Sequence, residues 1–165
     1  MHRWIRQAQK VFLAFCASFF IIACSAPCRN WYLQQIVTTN PCFNSGRLVL
    51  PPESDSSRLR IELARSPSGI RLYFNILFLQ AAPLSDDPLR TEVEIVTDEG
   101  SYLINPYILQ GGQRLLIHDE DADHLIALLL NGKCFSIKMG RHQTEIISEQ
   151  FAETYAQLLA LPIAY

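Results

Sequence analysis

Residues 70–79, IRLYFNILFL, decide the fold of this chain. Apolar side chains occupy both alternations of the stretch: Ile70, Leu72, Phe74, Ile76 and Phe78 on one, and Tyr73, Leu77 and Leu79 on the other. Successive side chains of a β-strand point to opposite faces of the sheet, so a strand that is apolar on both alternations is typical of a sheet covered on both sides. The stretch therefore predicts a central strand.

The segments around this stretch alternate between apolar and polar residues, which predicts half-buried strands. Leu59, Ile61 and Leu63 precede it, with a turn at residues 66–69 between them. Further strands are predicted at residues 91–95, 102–109, 114–117, 134–139 and 142–147. Short strands joined by tight turns predict an α+β fold that is mainly antiparallel β, a sandwich or curved sheet of about 7–8 strands.

Two helices are predicted near the C-terminus. The first runs over residues 120–131, with Asp119 as its N-cap, Gly132 as its stop, and one apolar stripe. The stripe consists of Ala122, Leu125, Ile126 and Leu129. The second helix is capped by Ser148 and ended by Pro162. We expect its inward face to carry Phe151, Tyr155, Leu158 and Leu159.

The N-terminus has the three parts of an export signal. Arg3, Arg6 and Lys10 precede twelve residues of VFLAFCASFFII at positions 11–22. This apolar run suits a signal peptide and is shorter than the about 20 residues that span a bilayer. The tetrapeptide IIAC at residues 21–24 follows, and it resembles the lipobox of bacterial lipoproteins.

That resemblance covers residues 1–24 and implies cleavage between Ala23 and Cys24, with lipid attached to the Cys24 sulfur. It implies a membrane anchor in a bacterial envelope, facing the periplasm, and Ser25 favours the outer over the inner membrane in a Gram-negative host. The alternatives are cleavage by ordinary signal peptidase, an uncleaved N-terminal anchor, and a soluble protein whose first helix is apolar.

We therefore expect three segments: a signal peptide (1–23), a lipidated arm or linker (24–57), and a β-rich globular domain (58–165). The arm contains the turn-forming cluster 40–46 and the pair Pro51-Pro52, with a short strand at residues 47–50. Its aromatic residues Trp31, Tyr32 and Phe43 need a packing partner, so the arm is not expected to be disordered.

The charge of the expected mature protein argues against nucleic-acid binding. Removing three basic residues with the leader leaves 11 basic and 16 acidic residues, a formal charge of −5. A nucleic-acid-binding protein needs a basic stripe that neutralises phosphates. We expect no nucleic-acid partner.

Three cysteines remain after the leader and the lipidated Cys24 are set aside. Cys28, Cys42 and Cys134 allow one disulfide and one free thiol, and Cys28 with Cys42 is the preferred pair. Such a bridge closes a loop of about 15 residues and contributes about 3 kcal/mol in the chain-entropy account. Pairings of Cys134 with either partner remain open.

No stretch of the domain carries a convincing catalytic motif. Residues 118–124, HDEDADH, are rich in metal-ligand types, but His124 and Leu130 stand where a calcium loop has Gly and Glu. An acidic helix start explains this segment better. Cys134 and His142 form a weaker thiol and base candidate, because no third orienting residue is visible. We expect no metal, no cofactor and no enzymatic activity.

The C-terminal block faintly resembles the invasion-associated locus B family of periplasmic proteins. The shared features are Leu125-Ile126 through Gly132, and Phe151 with Leu158. This resemblance implies a periplasmic β-rich fold and carries no functional residue across.

Two functions follow from these observations. The first is a non-enzymatic interaction or assembly factor of the envelope, pilotin-like or a subunit of a complex, because an anchor and an arm accompany a domain without catalytic motifs. The alternative is a carrier or binding protein for a small apolar ligand or lipid, because residues 70–79 are apolar on both alternations.

Overall fold

A computed structural model describes residues 29–40, 43–53, 59–77, 80–109 and 111–163. Within these residues the chain forms ten strands and two helices. The first six strands are β1 (Tyr32–Ile36), β2 (Ser45–Leu50), β3 (Leu59–Ser66), β4 (Gly69–Ile76), β5 (Val93–Thr97) and β6 (Gly100–Ile104). They are followed by β7 (Tyr107–Ile108), β8 (Arg114–Leu116), helix α1 (Asp119–Leu130), β9 (Phe135–Met139), β10 (His142–Ile146) and helix α2 (Phe151–Ala160).

The strands form two sheets in which every described pairing of strands is antiparallel. The larger sheet has the order β1-β2-β3-β4-β8-β7, and the smaller has the order β10-β9-β5-β6. The predicted α+β class, mainly antiparallel β with two helices, is confirmed. Ten described strands exceed the 7–8 expected, because β1 was not predicted and the single strand predicted at residues 102–109 is divided into β6 and the two-residue β7.

One apolar core joins both sheets and both helices. It includes Leu63 and Phe74 from the larger sheet, Ile95 and Ile137 from the smaller sheet, and Leu125 from α1. Helix α2 contributes Phe151 and Leu158. The stripe predicted for α1 is buried in full.

Residues 70–79 contribute a central strand, as predicted, but the described strand is buried on one face only. Strand β4 lies between β3 and β8, with Leu72, Phe74 and Ile76 in the core. Its opposite face carries Arg71, Tyr73 and Asn75, which are exposed or half-buried. The Tyr73 ring is covered by the guanidinium of Arg114, 3.8 Å from the ring centroid, and this cation–π contact replaces a second apolar layer.

The described part of the predicted arm belongs to the larger sheet and to the core. Strand β2 pairs with β3 from Gly46 opposite Arg65 to Leu50 opposite Ile61, and β1 pairs with β2. Trp31, just before β1, is buried in the core cluster. Turn-forming residues dominate the composition of this segment and favour a linker, yet its short apolar runs add strands β1 and β2 to the sheet.

Both helix starts differ from the prediction. His118 is the N-cap of α1, with extended backbone, and Asp119 is the first helical residue, so its carboxylate lies at the positive end of the helix dipole. Ser148 does not cap α2, because its hydroxyl donates a hydrogen bond to the Gly132 carbonyl oxygen at 2.9 Å. Gln150, in a left-handed conformation, is the N-cap instead.

The helix ends agree with the sequence. Gly132 follows α1 with a φ of 73°, the left-handed conformation that glycine adopts without strain. Leu161 is extended at the end of α2, as expected for a residue before Pro162. One predicted inward residue of α2 is wrong: Leu159 is 46% exposed, because the core contacts of this helix come from Phe151 and Leu158.

Candidate functional site

Strand β1 forms an edge of the larger sheet without the features that usually protect such edges. Among the residues that the structure describes, it pairs only with β2, on one side. Natural edge strands are commonly protected by charged residues, by proline or by a bulge, because an unpaired edge is a template for another strand. Residues 30–40, NWYLQQIVTTN, contain no charged residue and no proline. The edge is therefore available for pairing.

Exposed apolar side chains are concentrated in the hairpin that β1 and β2 form. Of the eight large apolar side chains exposed in the described part of the chain, four lie here: Tyr32, Ile36, Val37 and Phe43. Val37 is 68% exposed and Phe43 is 70% exposed. Exposed apolar side chains grouped on one element can mark an interaction site.

The described ends of the connection between β1 and β2 are hydrogen-bonded to each other. The Thr38 amide donates to the Asn44 side-chain oxygen at 2.9 Å, and the Phe43 amide donates to the Asn40 carbonyl oxygen at 3.0 Å. The Thr38 hydroxyl also donates to the Asn40 carbonyl oxygen at 2.6 Å. These bonds hold Val37 and Phe43 near the strand ends, so the surface that they form is preorganised.

The start of β1 is attached to the C-terminal part of the chain. Trp31 donates a hydrogen bond from Nε1 to the Ile147 carbonyl oxygen at 2.8 Å, and its ring meets Phe151 edge to face at 4.9 Å. Arg29 donates to the Pro51 carbonyl oxygen at 2.7 Å and also bonds the Glu145 carbonyl oxygen. Burial lowers the pKa of the Arg29 guanidinium, while the charges of Glu53 and Glu145 oppose this shift.

Helix α2 packs closely against the inner face of this hairpin at Gly46. A methyl group on Gly46 would come within 2.3 Å of Leu161 Cδ1 and 2.8 Å of Leu158 Cδ1. Arg65, opposite Gly46 in the sheet, donates hydrogen bonds from Nη1 to the carbonyl oxygens of Leu158 at 2.7 Å and of Leu161 at 3.1 Å. These contacts fix the helix end that supports the edge.

The outer face of the larger sheet carries a charge cluster centred on Glu62. This carboxylate is 2% exposed and receives Arg114 Nη2 at 3.0 Å, with Arg47 Nε and Arg60 Nη2 each at 3.5 Å. Asn75 Nδ2 lies 3.4 Å from the same group. Three arginines around one carboxylate give this face a positive charge beside the edge strand, although the expected mature chain is acidic.

The lipidation, cleavage and disulfide predictions fall largely outside the described residues. Ala23, Cys24, Cys28 and Cys42 all lie there, so these assignments remain predictions. Cys134 is exposed, and its sulfur lies 3.6 Å from the Ser148 hydroxyl. In the described segments, no helix combines the length and the apolar character needed to span a membrane.

The acidic segment at residues 118–124 forms the start of α1. No group of three or more metal-ligand side chains comes together in the described part of the chain. The His124 ring instead meets Tyr102 edge to face at 5.7 Å. Burial raises the pKa of the Tyr102 hydroxyl, and the charge of Asp121 adds to the effect.

Cys134 and His142 are not brought together. Cys134 precedes β9, whereas His142 pairs with Met139 at the other end of the same hairpin. Five residues of extended strand separate the two positions by about 17 Å. The thiol has no access to the imidazole, and Ser148 is its described neighbour.

Comparison with known proteins gives no match to a protein-family model, a curated protein or a solved structure. The resemblances to bacterial lipoproteins and to the invasion-associated locus B family therefore remain predictions from sequence.

The periodicity of the sequence does not identify β1 as a candidate site, although another signal is present. No charged residue occurs between Arg29 and Arg47, which is the longest uncharged interval after the leader. Within it, the alternation of Tyr32, Gln34 and Ile36 with Leu33 and Gln35 is weak, because glutamine stands on both faces. The missing charges, not the periodicity, identify this strand as an open edge.

Proposed function

We propose that the protein is a membrane-anchored envelope lipoprotein that acts without catalysis, as an interaction or assembly factor whose docking element is strand β1. The single observation that carries this proposal is the uncharged edge of β1, which has no second strand partner in the described part of the chain, together with its exposed apolar side chains. Lipid on Cys24 supplies the location, with the outer membrane preferred, and the edge strand supplies recognition.

The partner expected at this edge is an extended segment of another envelope protein. Strand addition gives affinity through main-chain hydrogen bonds and specificity through alternate side chains. Leu33 packs against the core, so one face of the added strand meets an apolar boundary. Tyr32 and Ile36, which are exposed, meet the other face.

Site-specific photocrosslinking in the native envelope tests the docking element. A photoreactive phenylalanine derivative replaces Gln34 in the full-length chain, and the control places it at Ala127, which is exposed on α1. We expect an adduct of one defined mass from position 34 and none of that mass from position 127.

A second variant links the adduct to strand pairing. Ile36→Lys with Val37→Lys adds the charges that protect natural edges, and both positions are exposed, so stability should change by less than about 0.5 kcal/mol each. We expect the adduct to fall at least about tenfold. Docking at β1 would be contradicted if this variant gave the same adduct yield as the chain without the lysines, or if position 127 gave an adduct of the same mass.

The anchor is tested separately by metabolic labelling with a radioactive or clickable fatty acid. Wild-type protein should incorporate the label and remain with the membrane fraction, whereas Cys24→Ala should do neither. Cys134→Ala, in the described part of the chain, is the matched control and should label like wild type. Label retained by Cys24→Ala would overturn the lipoprotein assignment.

A further inference from the structure

A cavity of about 380 Å³ lies between the two sheets, where the β9 to β10 turn faces the ends of β3 and β4. Leu59 and Ile76 line it from the larger sheet, and Ile137 and Met139 line it from the smaller sheet. Its remaining described wall includes Ala81 and Leu84, which precede β5. Ligand pockets typically have volumes of about 300–1,000 Å³, so this cavity is at the small end of that range.

The interior of the cavity is apolar and rests on the core. Leu59, Ile76 and Ile137 are all buried members of the core cluster. The polar side chains Gln80, Glu92 and His142 are exposed and stand at its margin. This distribution, an apolar interior with a few polar groups at one boundary, suits a ligand with an aliphatic part and a polar end.

Thr144 supplies a polar group inside this wall. It is 8% exposed, lines the cavity, and its hydroxyl makes no hydrogen bond with any residue that the structure describes. The neighbouring Thr91 differs, because its hydroxyl donates to the Ala82 carbonyl oxygen at 2.7 Å. Thr144 lines the cavity, so its hydroxyl can donate a hydrogen bond to a bound ligand or accept one from it.

We propose that this cavity binds a single-chain amphiphile, with its aliphatic chain between the sheets and an uncharged hydrogen-bonding head at Thr144. The volume suits one chain rather than a two-chain phospholipid. A neutral hydroxyl head complements the Thr144 hydroxyl, and an anionic head is disfavoured because the Glu92 carboxylate repels it and no lysine or arginine is among the described residues that line the cavity. This site is independent of the docking edge at β1.

Binding is tested with the neutral fluorescent probe N-phenyl-1-naphthylamine and its displacement by 1-monolauroylglycerol. We expect the wild-type protein to bind the probe and the monoacylglycerol to displace it. Lauric acid at a pH where it is ionised should displace the probe at least about tenfold less well. Absence of probe binding would overturn the site, and equal displacement by lauric acid would overturn the uncharged head.

Two variants locate the site. Ala81→Phe places a ring in the cavity and should abolish probe binding, whereas Ala127→Phe on the exposed face of α1 should not. Ile36→Lys with Val37→Lys should also leave binding unchanged, which separates the cavity from the apolar hairpin. Probe binding retained by folded Ala81→Phe would overturn the proposal.

Thr144→Val keeps the shape of the side chain and removes its hydroxyl, so it tests the polar contact even if Ala81→Phe fails to fold. We expect the affinity for 1-monolauroylglycerol to fall about threefold to tenfold, the effect of one hydrogen bond. Affinity for the probe, which has no hydroxyl head, should not change. Unchanged affinity for the monoacylglycerol would overturn the role assigned to Thr144.

Discussion

The guanidinium of Arg65 caps the C-terminal end of α2 by donating a hydrogen bond to the Leu158 carbonyl oxygen at 2.7 Å. The two residues are 93 positions apart in sequence, and Arg65 is buried. A helix leaves its last four carbonyl groups without helical partners, and here an arginine from a core strand bonds two of them, those of Leu158 and Leu159. The contact joins the larger sheet to the helix that packs against β1 and β2.

Replacing Arg65 with methionine, which has similar length and no charge, should lower the free energy of unfolding by about 2–4 kcal/mol, because buried carbonyl groups lose their donor. Urea unfolding followed by circular dichroism measures this loss. Arg71→Met, at an exposed position of the adjacent strand, is the control and should unfold like wild type. Equal losses for both variants would show that the cap contributes nothing specific.

Replacing Glu62 with glutamine should lower the free energy of unfolding by about 2 kcal/mol, because three arginines lose their common buried carboxylate. Glu94→Gln removes a carboxylate from an exposed pair with Lys138 and should produce no measurable loss. Chemical denaturation of the two variants at neutral pH provides the comparison. If Glu62→Gln unfolds with the same free energy as wild type, the three arginines do not depend on this carboxylate.

Replacing Gly46 with alanine should lower the free energy of unfolding by about 1–3 kcal/mol, because the added methyl group collides with Leu161 and Leu158. Leu161→Ala removes the closer neighbour, so the double variant should lose less than the sum of the two single losses. A double-mutant cycle in urea measures this coupling. Strict additivity would be inconsistent with the close approach of α2 to β2.

The pKa of Glu99 should rise toward its ordinary value in Lys133→Gln, because the hydrogen bond and charge of Lys133 lower it in the wild-type protein. A carboxyl group with a lowered folded-state pKa contributes stability above its unfolded-state pKa, and loses that contribution as pH falls through the folded-state pKa. NMR titration of the Glu99 side chain measures the shift. Lys138→Gln is the control and should raise the pKa of Glu94 instead.

Sequence patterns predicted the elements whose side chains follow a clear period. The stripe of α1 and the strands around Ile61 and Ile95 were found because their buried positions recur at regular spacing. The termini of the helices were less predictable. Ser148 has the side chain of a good cap, but tertiary contact with Gly132 uses its hydroxyl elsewhere.

The candidate sites were harder to predict because they depend on contacts between distant segments. In the sequence, Glu62 is an ordinary polar residue of an alternating strand. Arg47 and Arg114 lie on other strands, and they come close to Glu62 only when the sheet forms. The cavity likewise requires Ile76 and Ile137, which are 61 positions apart, to face each other across the two sheets. The apolar pattern of residues 70–79 predicted that the strand is buried, but it could not predict where between the sheets a cavity is left.

The hydrogen bond between Trp31 and the Ile147 carbonyl oxygen spans 116 positions, and it has a consequence for biogenesis. A ribosome or a translocation channel delivers a chain N-terminus first, so Trp31 emerges long before its partner. The apolar side chains of the β1–β2 hairpin therefore remain exposed to water until helix α2 has emerged and can pack against them. We expect chains truncated before residue 147 to be degraded or bound by chaperones, because the N-terminal hairpin then lacks the C-terminal segment against which it packs.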